Sequence, residues 1–94
     1  MVLNFTVNKQ IVTRTDTEKV VRLSKNYLYV HFEFSEEWIG EKTAVFKSRN
    51  KAYNMLLDSE GTCLVPWEIL KWEYFDVSVF CGDLITANAV RVFT

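Results

Sequence analysis

The sequence predicts an all-β fold, an immunoglobulin-like antiparallel β-sandwich of about seven strands with one short helical turn near residues 66–71. β-Branched and aromatic residues come in short runs that polar turns separate, as in antiparallel sheets. Within several runs apolar and polar residues alternate, so that the apolar side chains fall on one face of a strand. The 94 residues are expected to form a single domain, 1–94, large enough for one hydrophobic core.

The first strands are predicted at residues 3–8 (LNFTVN) and 11–15 (IVTRT), which pair across a short turn. Residues 18–23 (EKVVRL) carry a less regular pattern, which favours a short strand over a helical turn. The most regular strand is 26–34 (NYLYVHFEF), in which apolar residues occupy every second position. Its apolar face carries Leu28, Val30, Phe32 and Phe34, and its other face carries Tyr27, Tyr29, His31 and Glu33.

Four further segments complete the predicted sheets. Residues 43–48 (TAVFKS) and 52–58 (AYNMLLD) flank a short turn, as in a hairpin. Residues 75–81 (FDVSVFC) place alternate apolar side chains inward. Residues 84–93 (LITANAVRVF) form the last strand, and their alternation loses its phase near Ala87–Ala89, which predicts a bulge there.

The segment 66–71 (PWEILK) interrupts the strand pattern. Pro66 suits the first position of a helix, and Glu68 is placed favourably at the positive end of the helix dipole. Ile69 and Leu70 provide an apolar side. We therefore expect one or two helical turns that connect the two sheets.

Composition and charge exclude several kinds of partner. The formal net charge is −1, with acids and bases interspersed, and without a basic block to neutralise phosphates we expect no nucleic-acid partner. No apolar run approaches the roughly 20 residues of a membrane span, so no membrane segment is predicted. The N-terminus lacks the pattern of a signal peptide, which indicates folding in the cytoplasm.

No catalytic, cofactor or metal site is predicted. The chain has no glycine-rich phosphate loop, nucleophile elbow or zinc-protease motif. Its paired acids are near neighbours in sequence, which does not suggest two carboxylates across a cleft. Cys63 and Cys81 lack the spacing of a zinc site, and His31 is the only histidine. We therefore expect two reduced, buried thiols, a histidine that is solvent-facing or at an interface and is not a functional ligand, and no enzymatic activity.

Two tryptophans are predicted to be core anchors. Trp38 lies in the charged segment FSEEWIG, where Gly40 permits a sharp turn. We expect Trp38 to fold back against the strand face of Phe32 and Phe34. Trp67 follows a proline and lies beside an apolar turn, so it is also expected to be anchored in the core.

Four other aromatic residues, Tyr27, Tyr29, Trp72 and Tyr74, are predicted to be exposed. Exposed Tyr and Trp suit either a protein interface or stacking on a sugar ring. We favour an interface, because Tyr and Trp bury a large area at little entropic cost and the sequence suggests no cleft for a sugar.

Three segments, FSEEWIG, CLVPWEIL and VSVFCGDLITAN, carry a resemblance to a known family. The chain is similar, from about Val12 to Val92, to small tail- or baseplate-associated structural proteins of phages and prophages from low-GC Gram-positive bacteria. It also resembles N-terminal modules of minor structural proteins from the same phages. Some of these relatives continue into longer proteins, so the chain is either a complete small protein or an excised domain.

The resemblance implies a structural role in the virion tail or baseplate, with assembly in the bacterial cytoplasm. It supplies no catalytic or binding residue. Together with the aromatic residues it predicts a non-enzymatic module that contacts other tail proteins and forms a homo-oligomer. One alternative is a carbohydrate-binding module that contacts the host cell wall through exposed Trp and Tyr. Another is an immunoglobulin-like surface module of the host, which the missing export signal disfavours.

Overall fold

The computed structural model describes residues 1–21 and 25–94, which form a sandwich of two β-sheets. These residues contain nine strands and one 3₁₀ helix. The strands are β1 (Val2–Asn8), β2 (Ile11–Arg14), β3 (Tyr29–Phe34), β4 (Thr43–Ser48), β5 (Lys51–Leu56), β6 (Thr62–Leu64), β7 (Tyr74–Cys81), β8 (Leu84–Ile85) and β9 (Val90–Phe93). The 3₁₀ helix, Trp67–Lys71, connects β6 to β7 and thus one sheet to the other.

The first sheet has the strand order β2-β1-β3-β6, and the second has the order β5-β4-β7-β8, with β9 also paired to β7. β1 and β3 run parallel, with Val2 beside Tyr29, because the antiparallel β2 brings the chain back to the end where β1 began. The other pairings of the described strands are antiparallel. The all-β sandwich is confirmed, with nine described strands in place of about seven.

The last two strands are one strand with an interruption. Ile85 pairs with Phe80, and Val90 pairs with Val77, so that five steps along the last strand match three along β7. The last strand thus has two extra residues, and residues 86–89 lie outside both β8 and β9. Lost alternation in the sequence therefore located this irregularity correctly.

The core lies between the two sheets. Its largest fully buried side chains include Phe5, Phe32, Phe46, Phe75, Leu3, Leu28, Ile69 and Leu70. Phe5 and Phe32 stack with ring centroids 5.1 Å apart, and Phe32 and Phe34 with centroids 5.8 Å apart. The predicted inward face of β3 is thus confirmed.

Two elements differ from the sequence prediction. β6 was not predicted, because three residues are too few for alternation to be recognised. Of the predicted strand 18–23, the described part, 18–21, is not in a strand, and the rest lies outside the described residues. The helical turn is confirmed as the 3₁₀ helix, which begins one residue after Pro66.

The two ends of the sandwich differ in composition, and we name them for it. The acidic end consists of the loops 9–10, 35–42, 57–61 and 82–83 and carries Glu36, Glu37, Glu41, Asp58, Glu60 and Asp83 against Lys9 and Lys42. The aromatic end lies at the starts of β3 and β7 and the end of β9 and carries Tyr27, Tyr29, Trp67, Trp72, Tyr74 and Phe93.

Candidate functional site

The aromatic end brings together side chains from elements that are far apart in sequence. The strand registers place Tyr29 beside Leu64 of β6 and Tyr74 beside Phe93 of β9. The 3₁₀ helix crosses between these two strand pairs and links their sheets. The predicted interface residues Tyr27, Tyr29, Trp72 and Tyr74 all lie at this end.

The aromatic rings on the side of the first sheet are exposed to solvent. Tyr27 is 50% exposed, Tyr29 41% and Trp67 41%. The ammonium nitrogen of Lys25 lies 4.5 Å from the centroid of the Trp67 ring, within the range of a cation–π contact. Val2, which pairs with Tyr29, is exposed as well. This surface therefore presents apolar groups with a cation beside them.

The prediction that Trp67 is a core anchor is wrong. Val65, Ile69 and Leu70 are each at most 1% exposed and fill the core at this point of the chain. The indole of Trp67 remains at the surface at the start of the 3₁₀ helix. An aromatic residue beside an apolar turn does not reveal by itself which of the neighbouring side chains takes the interior position.

The prediction that Trp72 and Tyr74 are exposed is wrong, because both rings are half-buried. Cations cover them. The guanidinium carbon of Arg49 lies 4.7 Å from the Trp72 ring centroid, and the ammonium nitrogen of Lys71 lies 5.2 Å from it. The guanidinium carbon of Arg91 lies 4.0 Å from the Tyr74 ring centroid. Such stacked pairs hold long cationic side chains in place at a surface.

Trp72 differs from the exposed aromatic residues because it also packs against the core. Its indole Nε1 is buried and has no hydrogen-bond partner among the described residues. A substitution of Trp72 would therefore perturb the fold, since packing contacts would be lost. Tyr27, Tyr29 and Trp67 are the better positions at which to test a surface function.

Two ion pairs flank these rings. Arg91 Nε donates a hydrogen bond to Asp76 across 3.0 Å, which raises the pKa of Arg91 above its ordinary value. Arg49 lies 3.3 Å from a carboxylate oxygen of Glu73. Beyond them Phe93 is 68% exposed. The aromatic end thus offers Trp, Tyr and Arg, the residue types that dominate binding energy at protein interfaces.

At the acidic end the tryptophan, Trp38, is buried, in contrast to the exposed Trp67 of the aromatic end. Trp38 is 4% exposed, and its ring centroid lies 5.2 Å from that of Phe34. Its indole N–H donates a hydrogen bond of 2.6 Å to the carbonyl of Lys9. Gly40 has a φ of 104°, a conformation that favours glycine. The predicted burial of Trp38 against the β3 face is confirmed.

The turn between β1 and β2 is tied to both sheets at the acidic end. The amide of Lys9 donates to Ser35 Oγ across 2.8 Å. The carbonyl of Gln10 accepts from the amide of Ala87 across 2.6 Å, and the Gln10 side chain donates to the carbonyl of Ile85. These bonds hold the last strand of the second sheet against the first sheet.

Two concavities on the surface of the described residues are open and do not enclose a ligand. A hollow of about 400 Å³ at the acidic end is open and is lined by Gly40, Glu41, Lys42, Leu57, Asp58 and Ser59. A groove of about 140 Å³ on the outer face of the first sheet is lined by Asn4, Phe5, Thr6, Thr15, His31 and Glu33. His31 Nδ1 lies 3.0 Å from Thr62 Oγ1, so this ring is engaged within the sheet. The groove is smaller than most small-molecule sites.

Both cysteines are free thiols. Burial raises the pKa of Cys63 to about 12, so this thiol is unreactive at neutral pH. Cys81 is half-buried at the acidic end, where its thiol donates to the carbonyl of Ile39 across 3.1 Å. The prediction that both thiols are fully buried therefore holds for Cys63 only.

Within residues 1–21 and 25–94, no three or more His, Cys, Asp or Glu side chains are grouped as metal ligands. The same residues include no helix that is long and apolar enough to cross a membrane. Comparison of the chain with protein-family models, with curated proteins and with solved structures found no match.

Sequence reasoning missed two features of the aromatic end. Phe93 lies in a predicted strand, but its outward orientation is not part of that prediction. It follows from the inward position of Val92, because neighbouring residues of a strand face opposite sides. The stacking of Arg49 and Arg91 on aromatic rings depends on strands that meet only in the folded sheet. Alternation could have revealed the first feature, but no local signal reveals the second.

Proposed function

We propose that this chain is a non-enzymatic structural module that binds another protein through its aromatic end. The observation that carries the proposal is the exposure of Tyr27, Tyr29, Trp67 and Phe93 at one end of a sandwich whose other end buries its tryptophan. Exposed aromatic side chains near the stacked arginines Arg49 and Arg91 fit a protein interface, where both residue types are enriched.

The setting we propose is the tail or baseplate of a phage or prophage. The support for it is the resemblance of FSEEWIG, CLVPWEIL and VSVFCGDLITAN to structural proteins of such particles. Tail components assemble as symmetric rings and stacks through protein contacts. A small sandwich with exposed aromatic rings at one end suits such a contact and needs neither cofactor nor substrate.

Binding of a cell-wall sugar is the second candidate, because Tyr29 lies next to a polar groove that contains Asn4, His31 and Glu33. A ring that stacks on a sugar together with neighbouring polar groups is the usual arrangement for such binding. The small volume of the groove, about 140 Å³, weighs against it. Cations on the aromatic rings also leave less ring face open to a sugar.

The test is to purify virions from a lysate of the bacterium that encodes the chain and to quantify the chain by mass spectrometry. We expect it to co-purify with the tails in a fixed ratio to the major tail proteins. Trp67→Ala and Tyr29→Ala should lower its incorporation about tenfold each, since hot-spot truncations cost more than about 1 kcal/mol.

Ile39→Ala is the matched control, because Ile39 is 81% exposed at the acidic end and its loss should leave incorporation unchanged. A chain absent from purified particles would contradict the proposed setting. A monomeric chain that binds cell-wall polysaccharide, and loses this binding in Tyr29→Ala, would favour the second candidate instead.

A further inference from the structure

The strands at the margins of the two sheets differ in whether their outer backbone groups are paired. On β2, the amide of Val12 donates to Asn88 Oδ1 across 2.9 Å, and Asn88 Nδ2 donates back to the carbonyl of Val12 across 2.8 Å. On β6, both the amide and the carbonyl of Thr62 bond to Asp58. β2 and β6 are therefore protected against pairing with another strand.

β5 has no such protection in the part of the chain that the structure describes. The amide of Leu57 donates to the carbonyl of Lys42, so every second residue before it turns its backbone groups toward β4. The amides and carbonyls of Ala52, Asn54 and Leu56 consequently point away from the sheet, and no bond from another described residue reaches them.

The side chains of β5 do not discourage pairing either. Ala52, Asn54 and Leu56 are exposed, and Leu56 is 59% exposed. None of the three is charged or is proline, which are the common devices that keep a sheet edge from adding a strand. On the other face of β5, Tyr53 and Met55 are half-buried against the core.

The charges at the ends of β5 indicate which strand would fit. Arg49 and Lys51 lie at its start, and Asp58 and Glu60 follow its end. An antiparallel copy of the same strand would set the basic start of each copy against the acidic end of the other. A parallel copy would instead oppose like charges, which destabilises a strand pair.

We propose that β5 pairs antiparallel with β5 of a second copy of this chain, with Asn54 on the two-fold axis. Asn54 then lies opposite Asn54 of the second copy, and Ala52 lies opposite Leu56, so that a small side chain meets a large one. Each of these pairs exchanges two main-chain hydrogen bonds. The two five-stranded sheets join into one continuous sheet.

This pairing leaves the aromatic end free, because β5 lies at the side of the sandwich. The two-fold axis points the aromatic ends of the two copies in opposite directions. A dimer built in this way would have two separate surfaces for other proteins. The pairing does not depend on the proposed function, since it rests on the backbone and charges of β5 alone.

Cysteine cross-linking tests the register directly. Residues opposite each other in a hydrogen-bonded antiparallel pair have Cα atoms about 5.5 Å apart, within the range for a disulfide. Asn54→Cys should therefore form a disulfide-linked dimer under mild oxidation. Ala52→Cys should not, because the two copies of residue 52 would lie roughly 14 Å apart. A mixture of Ala52→Cys and Leu56→Cys proteins should cross-link through those two residues.

Non-reducing gels, with identification of the linked peptide by mass spectrometry, give the result, and the unsubstituted chain is the control for its own thiols. Each variant is first checked for an unchanged thermal midpoint. Cross-linking of Ala52→Cys alone as fast as Asn54→Cys would overturn the antiparallel register.

Sedimentation velocity over a range of concentrations tests the dimer without cross-linking. Asn54→Lys places like charges on the two-fold axis and should raise the dimer Kd about tenfold or more. The control is Thr13→Lys, which adds the same charge on β2 at an exposed position and should leave the Kd unchanged. A chain that is monomeric at every concentration, or a dimer that Asn54→Lys does not weaken, would overturn the proposal.

Discussion

Both ends of the sandwich carry tryptophan, but Trp38 and Trp67 are placed in opposite ways. At the acidic end, Trp38 is 4% exposed and its indole N–H is bonded to a turn of the first sheet. At the aromatic end, Trp67 is 41% exposed with a lysine above its ring. The acidic end buries its tryptophan in the core, whereas the aromatic end leaves aromatic rings in contact with water. Apolar surface that folding does not bury is available for binding.

The largest expected effect is on the tryptophan that closes the core. Trp38→Ala should lower the free energy of unfolding by about 3–5 kcal/mol, because it removes a buried ring and leaves a cavity. Trp67→Ala should lower it by less than about 1 kcal/mol, since only a surface contact is lost. Urea denaturation of both variants measures the difference. Equal losses in the two variants would contradict this difference between Trp38 and Trp67.

The next effect concerns the side-chain amide that ties the last strand to β2 near the acidic end. Asn88→Ala should lower the free energy of unfolding by about 2 kcal/mol, because the amide and carbonyl of Val12 both lose their partner. The control is Asn8→Ala, an exposed residue of β1, with an expected change below about 0.5 kcal/mol. Denaturant midpoints that agree between the two variants would contradict this role for Asn88.

A smaller effect on stability is expected from Asp16, a carboxylate bonded to the backbone of β1 near the start of that strand. Asp16 is partly buried, which raises its pKa, but hydrogen bonds from Arg14 and from the amides of Asn4 and Glu18 outweigh this and lower the pKa overall. Because the folded-state pKa lies below the unfolded one, this stabilisation is complete above about pH 4 and is lost as the pH falls through the folded-state pKa.

Asp16→Asn should therefore lower the free energy of unfolding by about 1–2 kcal/mol at neutral pH and flatten its decline in acid. The pKa of Glu37, at the acidic end, is also lowered, mainly by a hydrogen bond with Ser35, but this side chain is fully exposed. Glu37→Gln should leave the acid limb of the curve unchanged. Thermal midpoints measured from neutral pH into acid separate the two variants, and matching acid limbs would rule out the role of Asp16.

The smallest effect is kinetic and concerns the thiols. At pH 8 only about one part in ten thousand of a thiol with a pKa of about 12 is ionised, so Cys63 should resist labelling in the native protein. Cys81, which is half-buried, should react first. Both should be labelled after denaturation without reductant. A mass two daltons too low would instead reveal a disulfide.

Local sequence patterns were sufficient to predict the strands whose side chains alternate. β3 and β7 place apolar residues at every second position, and one face of each strand is buried as the alternation requires. The lost alternation in the sequence also located the interruption at 86–89, where the last strand has two residues more than the matching stretch of β7. The packing of Trp38 against β3 could be predicted because this aromatic residue lies between a core strand and Gly40, which permits a sharp turn.

The tertiary structure alone decided which aromatic residues are exposed and that the outer edge of β5 is unprotected. Trp38 and Trp67 both lie next to apolar residues in sequence, but one faces an unfilled part of the core and the other a part that Val65, Ile69 and Leu70 already occupy. Likewise, the sequence of β5 does not show that its outer amides and carbonyls have no partner among the described residues. The sequence of β2 does not show that Asn88 bonds the outer backbone groups of that strand. Burial and edge pairing depend on residues distant in sequence, whereas alternation is a property of a strand by itself.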